Sequence, residues 1–524
     1  MSVTDLRTAV TRAADWSAEH PWSALSLWLG GVAVSLTAGA LSLDTPVDAL
    51  LGDASAQDAT WYVLLGSGTV LLLLIALFAA VVPALVSLWV TLSIMALATG
   101  WWAVVARLLP DRRPAACVLA LVTILGAALG TTSCVLHLRS ARPARRSGAD
   151  RSQGSGTAGG SGHRVLLSSC VTVAVVCGLY IPGDALLSTV ATGVLLTVAA
   201  VLLASVTVLP AVTARFGRHL GRPRLPVLWR FSYRLGPPRL WPLLLRPGVR
   251  HPRWTLAGSM VLHTAMALPL LWCPSQLLAP PTALPPDAVA FDGCGVTAPS
   301  VVAMAASAVL LAFAALTAVF RSAPAAVVVT VPGALAAVSA CGLSAPLLRL
   351  WKPEPAPGSW GLNTPATWAP LIGFVLALAL SVLLLRAAVL RVVAHRAAGM
   401  APREAAARAV TRTSDDMTAT AVILCTVFLL GERLGPAQVG RVCVVLMVCV
   451  VLTVTLVRAL TLPSLATLVA GSRWWSRSAT RQQGYCSVRS RPNTPDSWAR
   501  AAQDGHSTRP GPAPHRAGTW RRQT

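Results

Sequence analysis

The chain has 524 residues, 55% hydrophobic and 12% charged, with a mean hydropathy of +0.64. Soluble domains carry about 25% charged residues, so an ordinary soluble fold is excluded. The net charge of +24 is nearly all arginine. No zinc-finger spacing, RNP-like motif or stacked aromatic pattern accompanies it, so the excess fits anionic lipid headgroups and not nucleic acid.

A bilayer core takes about 20 consecutive, mostly apolar residues to cross as a helix. Such runs are expected at 22–42, 61–80, 86–106, 115–138, 164–181 and 185–209, and after a long basic stretch at 255–272, 298–320, 323–344, 366–386, 417–431 and 436–462. The continuous apolar run 60–108 is too long for one crossing, and Pro83 is the natural place to divide it. The first run is long and lacks a small-residue cleavage site, so no removable signal peptide is expected. The chain reads as an all-α polytopic membrane protein of about twelve spans.

Short cytoplasmic loops collect Lys and Arg. Residues 210–254 hold ten arginines and no acid, and 139–164 hold six against Asp150, whereas 43–60 carry four aspartates and 273–297 two, both without a basic residue. This places the basic segments and both termini in the cytoplasm of a multi-pass cell-membrane protein. Arg107, Arg112 and Arg113 run against the pattern. The expected organisation is a cytoplasmic N-terminus 1–21, a six-helix unit 22–209 with a Gly/Ser/Arg-rich loop 139–163, a basic linker 210–254, a second six-helix unit 255–465 and a basic tail 466–524 of disordered composition.

Of the eleven cysteines most sit singly in apolar runs, where Cys is usually a small buried hydrophobe. Cys273 and Cys294 instead bracket an outside loop, where a disulfide is permitted. Two anchors recur in the halves. "HPW" at 20–22 and "HPRW" at 251–254 precede spans one and seven, and Leu209–Pro210 and Leu462–Pro463 close spans six and twelve. Two repeated halves are the natural inference.

Three stretches, 162–219, 320–342 ("FRSAPAAVVVTVPGALAAVSACG") and 399–425 ("GMAPREAAARAVTRTSDDMTATAVILC"), resemble the MMPL family, the large-membrane-protein branch of the resistance-nodulation-division (RND) superfamily of proton-driven exporters. "PREAAARAVTRT" looks like the cytoplasmic amphipathic segment that such proteins place before helix eleven. The resemblance implies outward transport of lipids or other hydrophobic compounds. It also implies large extracytoplasmic domains after helices one and seven, where this chain has only the short segments 43–60 and 273–297.

The resemblance further implies an Asp-Tyr pair in helices four and ten that takes up and releases protons. Here helix four reads "ALGTTSCVLHLRS" (128–140), with Thr132 and Ser133 at those places, and helix ten reads "ALSVLLLR" (379–386), with Leu383 and Leu384. Helix twelve reads "TVTLVR", keeping Arg458 of a D-A-x-x-V-R pattern but with Thr453 for the acid. None of the nineteen acids is expected deep in a span. The remaining intramembrane polar candidates are Thr131 and Cys134 beside the helix-four position, His263 as an interhelical donor, and Arg386 and Arg458, expected to snorkel from helix ends. No P-loop, nucleophile elbow, metal-ligand spacing or intramembrane carboxylate pair points to an enzyme, a metal or a cofactor. Expected partners are the bilayer and its anionic headgroups; a membrane or extracytoplasmic protein partner and a second copy of the chain stay open. The reading is a reduced transporter homologue; the alternative is a non-transporting scaffold or accessory subunit with the same fold.

Overall fold

The computed structural model describes residues 3–42, 56–108, 115–146, 166–216, 247–271, 298–351, 368–434 and 437–471, and every regular element among them is helical. Nine helices among the described residues are long and apolar enough to cross a membrane. The shorter apolar helices Leu64–Phe78 and Leu166–Tyr180, with Pro252–Leu271, stand at spans two, five and seven. Cys273 and Cys294, most of both acidic loops, and the tail beyond Gly471 lie outside the described residues.

The pairing of the helices repeats. Span three (Val81–Ala106) packs against spans one, two, four and six, and span nine (Ala323–Trp351) packs against spans seven, eight, ten and twelve. The contacts between the halves are reciprocal too: span eleven packs on spans two and four, and span five on spans eight and ten. Among the described residues the helices therefore pair as two matching sets of six that pack on each other.

Local chemistry carries the same signature. Apolar packing against lipid tails gives no net gain between helices in a bilayer, so close backbone approach at small residues holds them together. A Cβ on Gly100 in span three would stand 2.5 Å from the Ser35 carbonyl oxygen of span one. One on Gly342 in span nine would collide with the Met266 carbonyl oxygen of span seven and stand 2.7 Å from Ala267 Cα. The turns entering the two hub helices are made by Ala79 (φ 50°) and Arg321 (φ 52°), both left-handed without being glycine. The offset from 79 to 321 and from 100 to 342 is the same, 242 residues.

The boundaries shift where prolines act. Spans two and three divide at Ala79–Ala80, and Pro83 falls in the first turn of the new helix, where its missing N–H costs nothing. Span six, capped at its start by the Asp184 side chain accepting from the Leu186 and Leu187 amides, continues past 209 as Val208–Phe216. Span twelve changes to a π-helix at Thr453–Thr461 and resumes as Leu462–Ala470 with Pro463 in its first turn. The residues before span one form a helix, Val3–Glu19, that packs on Val208–Phe216. Arg107 donates to the Leu41 carbonyl at 2.5 Å, capping the end of span one.

Candidate functional site

Spans four (Ala115–Arg146) and ten (Trp368–Ala397) carry the positions singled out by the sequence, and both lie well inside the bundle. Span ten is the most enclosed, with 83% of its apolar window buried against 22% for span eight.

In span four, Thr131 is fully buried. Its hydroxyl donates to the Ala127 carbonyl at 2.6 Å and lies 3.3 Å from Thr91 Oγ1 of span three. Cys134 is also fully buried and shares Thr91 as a neighbour. Thr132 is buried, and its hydroxyl meets no hydrogen-bonding partner among the described residues. Ser133 is half-buried.

In span ten, Leu384 is buried and Leu383 half-buried. Two residues earlier stands a group that the sequence reading missed: Ser381, fully buried, whose Oγ lies 3.0 Å from both Cys449 Sγ and Thr453 Oγ1 of span twelve. Its seven-residue sequence neighbourhood is otherwise apolar, and only the pairing of spans ten and twelve reveals it. Arg386 donates through Nη2 to Ser168 Oγ of span five at 3.0 Å, linking the two halves. His263 of span seven is buried, with Nδ1 2.8 Å from Ser339 Oγ of span nine and Nε2 3.5 Å from Thr461 Oγ1 of the π-helical segment.

Arg458 corrects the snorkelling expectation. It is fully buried within the protein, and its two terminal nitrogens donate to the Ser414 and Val410 carbonyls, each at 3.4 Å. Two further arginines meet the same elbow between the amphipathic helix Pro402–Arg412 and span eleven (Ser414–Leu434). Arg139 of span four donates to the Asp415 carbonyl at 3.2 Å and stands 3.8 Å from the Asp416 carboxylate. Arg391 of span ten donates to the Arg412 carbonyl and stands 3.9 Å from Asp416. Three transmembrane helices thus hold one seven-residue segment, 410–416. Arg386, likewise buried, turns its guanidinium to Ser168 of span five.

One acid also lies deeper than expected. Glu432 falls outside the apolar run 417–431, but span eleven continues to Leu434 and buries its side chain, 3.2 Å from Arg433 Nε. The structure brings Thr453 together with Ser381, and Thr131 with Cys134 around Thr91; it leaves His263 in a separate node at spans seven, nine and twelve. Hydroxyls and thiols at these places can share hydrogen bonds, but Thr and Ser hold no charge to exchange near neutral pH and Leu binds no proton. No group of three or more metal-ligating side chains occurs among the described residues.

Comparison with known proteins gives a consistent picture. Residues 2–255 match the family model described as the MMPL family. Among solved structures, SecDF in its super-membrane-facing form aligns with a TM-score of 0.53 at 15% identity, covering 83% of this chain and 64% of that one. SecDF from Thermus thermophilus, titled a translocon-associated membrane protein, aligns with a TM-score of 0.51 at 16% identity, covering 82% and 63%. The chain therefore spans somewhat under two thirds of these SecDF chains. No curated protein matches the sequence.

Proposed function

We propose, from a chain whose residues 2–255 match the MMPL family model, an RND-type transporter homologue that moves lipids or hydrophobic small molecules outward without proton titration at the helix four and ten positions. The observation that carries this is the chemistry of those positions: Thr132, Ser133, Leu383 and Leu384 offer nothing to titrate, and Ser381 and Thr453 tie spans ten and twelve together through neutral groups. Intramembrane carboxylates are costly and normally mark ion pathways. Their replacement removes both the cost and the use.

The test is flux of a fluorescent phospholipid analogue in proteoliposomes under an imposed pH gradient. The variant His263→Ala, Asp415→Asn, Asp416→Asn, Glu432→Gln removes the histidine and the acids named near the core. The expected result is flux independent of the gradient in both proteins. Gradient-driven flux persisting in the variant means that a proton path exists elsewhere and sinks the reading. The orientation, with termini and basic loops inside, rests on the arginine distribution; labelling of a cysteine at 230 from outside the cell overturns it.

The second reading, a non-transporting scaffold or accessory subunit, is favoured by the packed state of the core around Ser381 and Leu384. SecDF, described as translocon-associated, supplies the analogy of a related fold working beside another membrane complex. Absence of flux in any gradient, with a membrane partner co-purifying stoichiometrically, decides for it. Neither reading assigns an enzymatic activity.

A further inference from the structure

We propose that the groove between the start of span seven and the π-helical segment of span twelve is a binding site for an anionic phospholipid. The groove has a volume of about 550 Å³ and is lined by Pro247, His251, Trp254, Thr255, Gly258 and Leu460. Its inner part is apolar and open. Gly258 is exposed, a Cβ there would meet nothing within 4 Å, and Trp254 is 82% exposed. The entrance is shaped by a fixed backbone turn, because the Thr255 hydroxyl donates to both the Pro247 and His251 carbonyls at 2.9 Å.

The residues beside the groove carry the opposite chemistry. Arg250, His251 and Arg253 are all exposed within one turn of the groove, and the ten arginines of 210–254 come without a carboxylate. Arg250 and Arg253 adjoin the lining residues His251 and Trp254 in the chain, so an apolar slot with two exposed arginines beside it matches an acyl chain joined to a phosphodiester, since Arg presents a planar fork that fits phosphate oxygens. The charge, and not the slot, selects an anionic headgroup over a zwitterionic one.

The repeat supplies an internal control. At the corresponding junction of the first half, His20–Pro21–Trp22, Arg215 lies over the Trp22 ring at 5.3 Å, and the helix Val3–Glu19 packs on Val208–Phe216. There the chain's own cation covers one face of the tryptophan, which is 62% exposed against 82% for Trp254. In the second half, Trp254 and both arginines face outward. The site belongs to the leaflet bordering the basic segment, and it does not depend on whether the chain transports anything.

The test places the full chain in nanodiscs containing trace photo-activatable phosphatidylglycerol or phosphatidylcholine and maps adducts by mass spectrometry. Nanodiscs expose both leaflets, so the result is independent of orientation and of flux. Labelling of residues 247–260 should favour phosphatidylglycerol, each arginine contributing about fivefold. Arg250→Gln with Arg253→Gln should bring phosphatidylglycerol down to the phosphatidylcholine level. Gly258→Trp should abolish labelling by both lipids while Gly258→Ala leaves it intact. Equal labelling by the two lipids in the unmodified chain, or a preference surviving the double arginine variant, overturns the proposal even if Gly258→Trp fails to fold.

Discussion

The repeat makes a quantitative prediction at Gly342 and Gly100. Each replaces a side chain with close backbone contact between a hub helix and its neighbour, at the same 242-residue offset. An added methyl on Gly342 would overlap the Met266 carbonyl oxygen and stand 2.7 Å from Ala267 Cα; on Gly100 it would lie 2.5 Å from the Ser35 oxygen and 2.7 Å from the Ser35 carbonyl carbon. These are backbone atoms that no rotamer change can move. Overpacking of this kind costs about 1–3 kcal/mol, set against a helix-propensity gain of up to about 1 kcal/mol for Gly→Ala. The net expectation is a loss of about 1–2 kcal/mol for each substitution. Because the contacts lie in different halves, the double variant should lose about the sum, within ~0.5 kcal/mol. Gly31→Ala and Gly258→Ala, where nothing stands within 4 Å of the new methyl, should be neutral or stabilising. The assay is detergent-titrated unfolding followed by tryptophan fluorescence. A Gly342→Ala protein as stable as Gly258→Ala would refute the reasoning, since propensity alone would then describe both sites.

The entry turns give the opposite sign: Ala79→Gly and Arg321→Gly remove a left-handed penalty of about 1 kcal/mol, and the same unfolding titration should show each variant at least as stable as the unmodified chain. Arg458→Met should remove the bonds that tie span twelve to the Val410 and Ser414 carbonyls and loosen the amphipathic helix Pro402–Arg412 without unfolding the bundle, so amide exchange at 402–416 should rise selectively; unchanged protection there would show that Arg458 does not hold the elbow. Cys273 and Cys294 are expected to form a disulfide, with about 3 kcal/mol of stabilisation on a chain-entropy estimate. Mass spectrometry of unreduced protein that finds both as free thiols rejects it.

Much of this architecture is legible in the sequence because the bilayer restricts the solutions: a helix must be about 20 apolar residues long, and Pro must sit where an N–H is dispensable. The Leu209–Pro210 and Leu462–Pro463 anchors were expected to close spans six and twelve, but each pair falls in the first turn of a helical segment that runs on to Phe216 or Ala470. What could not be read depends on which helix stands opposite. Gly100 and Gly31 are alike in the sequence, yet one has a carbonyl against it and the other open space. Arg458 was expected to snorkel because it lies near a helix end, but it sits in the π-helical Thr453–Thr461, whose wider turns change the face on which residues emerge, and it is fully buried. Glu432 is buried because span twelve approaches closely at Gly440, whose added Cβ would be 3.2 Å from the Glu432 carbonyl, a proximity that no local pattern announces.

The positions at which the family resemblance implies charge are not simply vacated. Removing one partner from a buried polar set is expensive when the other is left unsatisfied, whereas changing the set together can be nearly neutral. Thr453 stands where an acid is implied in span twelve, and its hydroxyl meets Ser381 of span ten at 3.0 Å, with the Cys449 thiol completing the group. Spans ten and twelve thus keep a polar contact at this place, now neutral and indifferent to pH. Thr131 does the same in span four, returning its hydroxyl to Ala127 while facing Thr91. The exception is Thr132, buried at one of the relay positions with no hydrogen-bonding partner among the described residues. Thr132→Val should therefore preserve or raise stability, whereas Thr453→Val should cost about 1 kcal/mol by removing one of the two hydrogen-bonding neighbours of Ser381 and leaving only the weaker Cys449 thiol. Opposite signs for these two substitutions in the same unfolding titration would distinguish a compensated neutral tie at spans ten and twelve from an uncompensated remnant in span four. Equal losses would show that both hydroxyls are held by partners, and the distinction between the halves would fall.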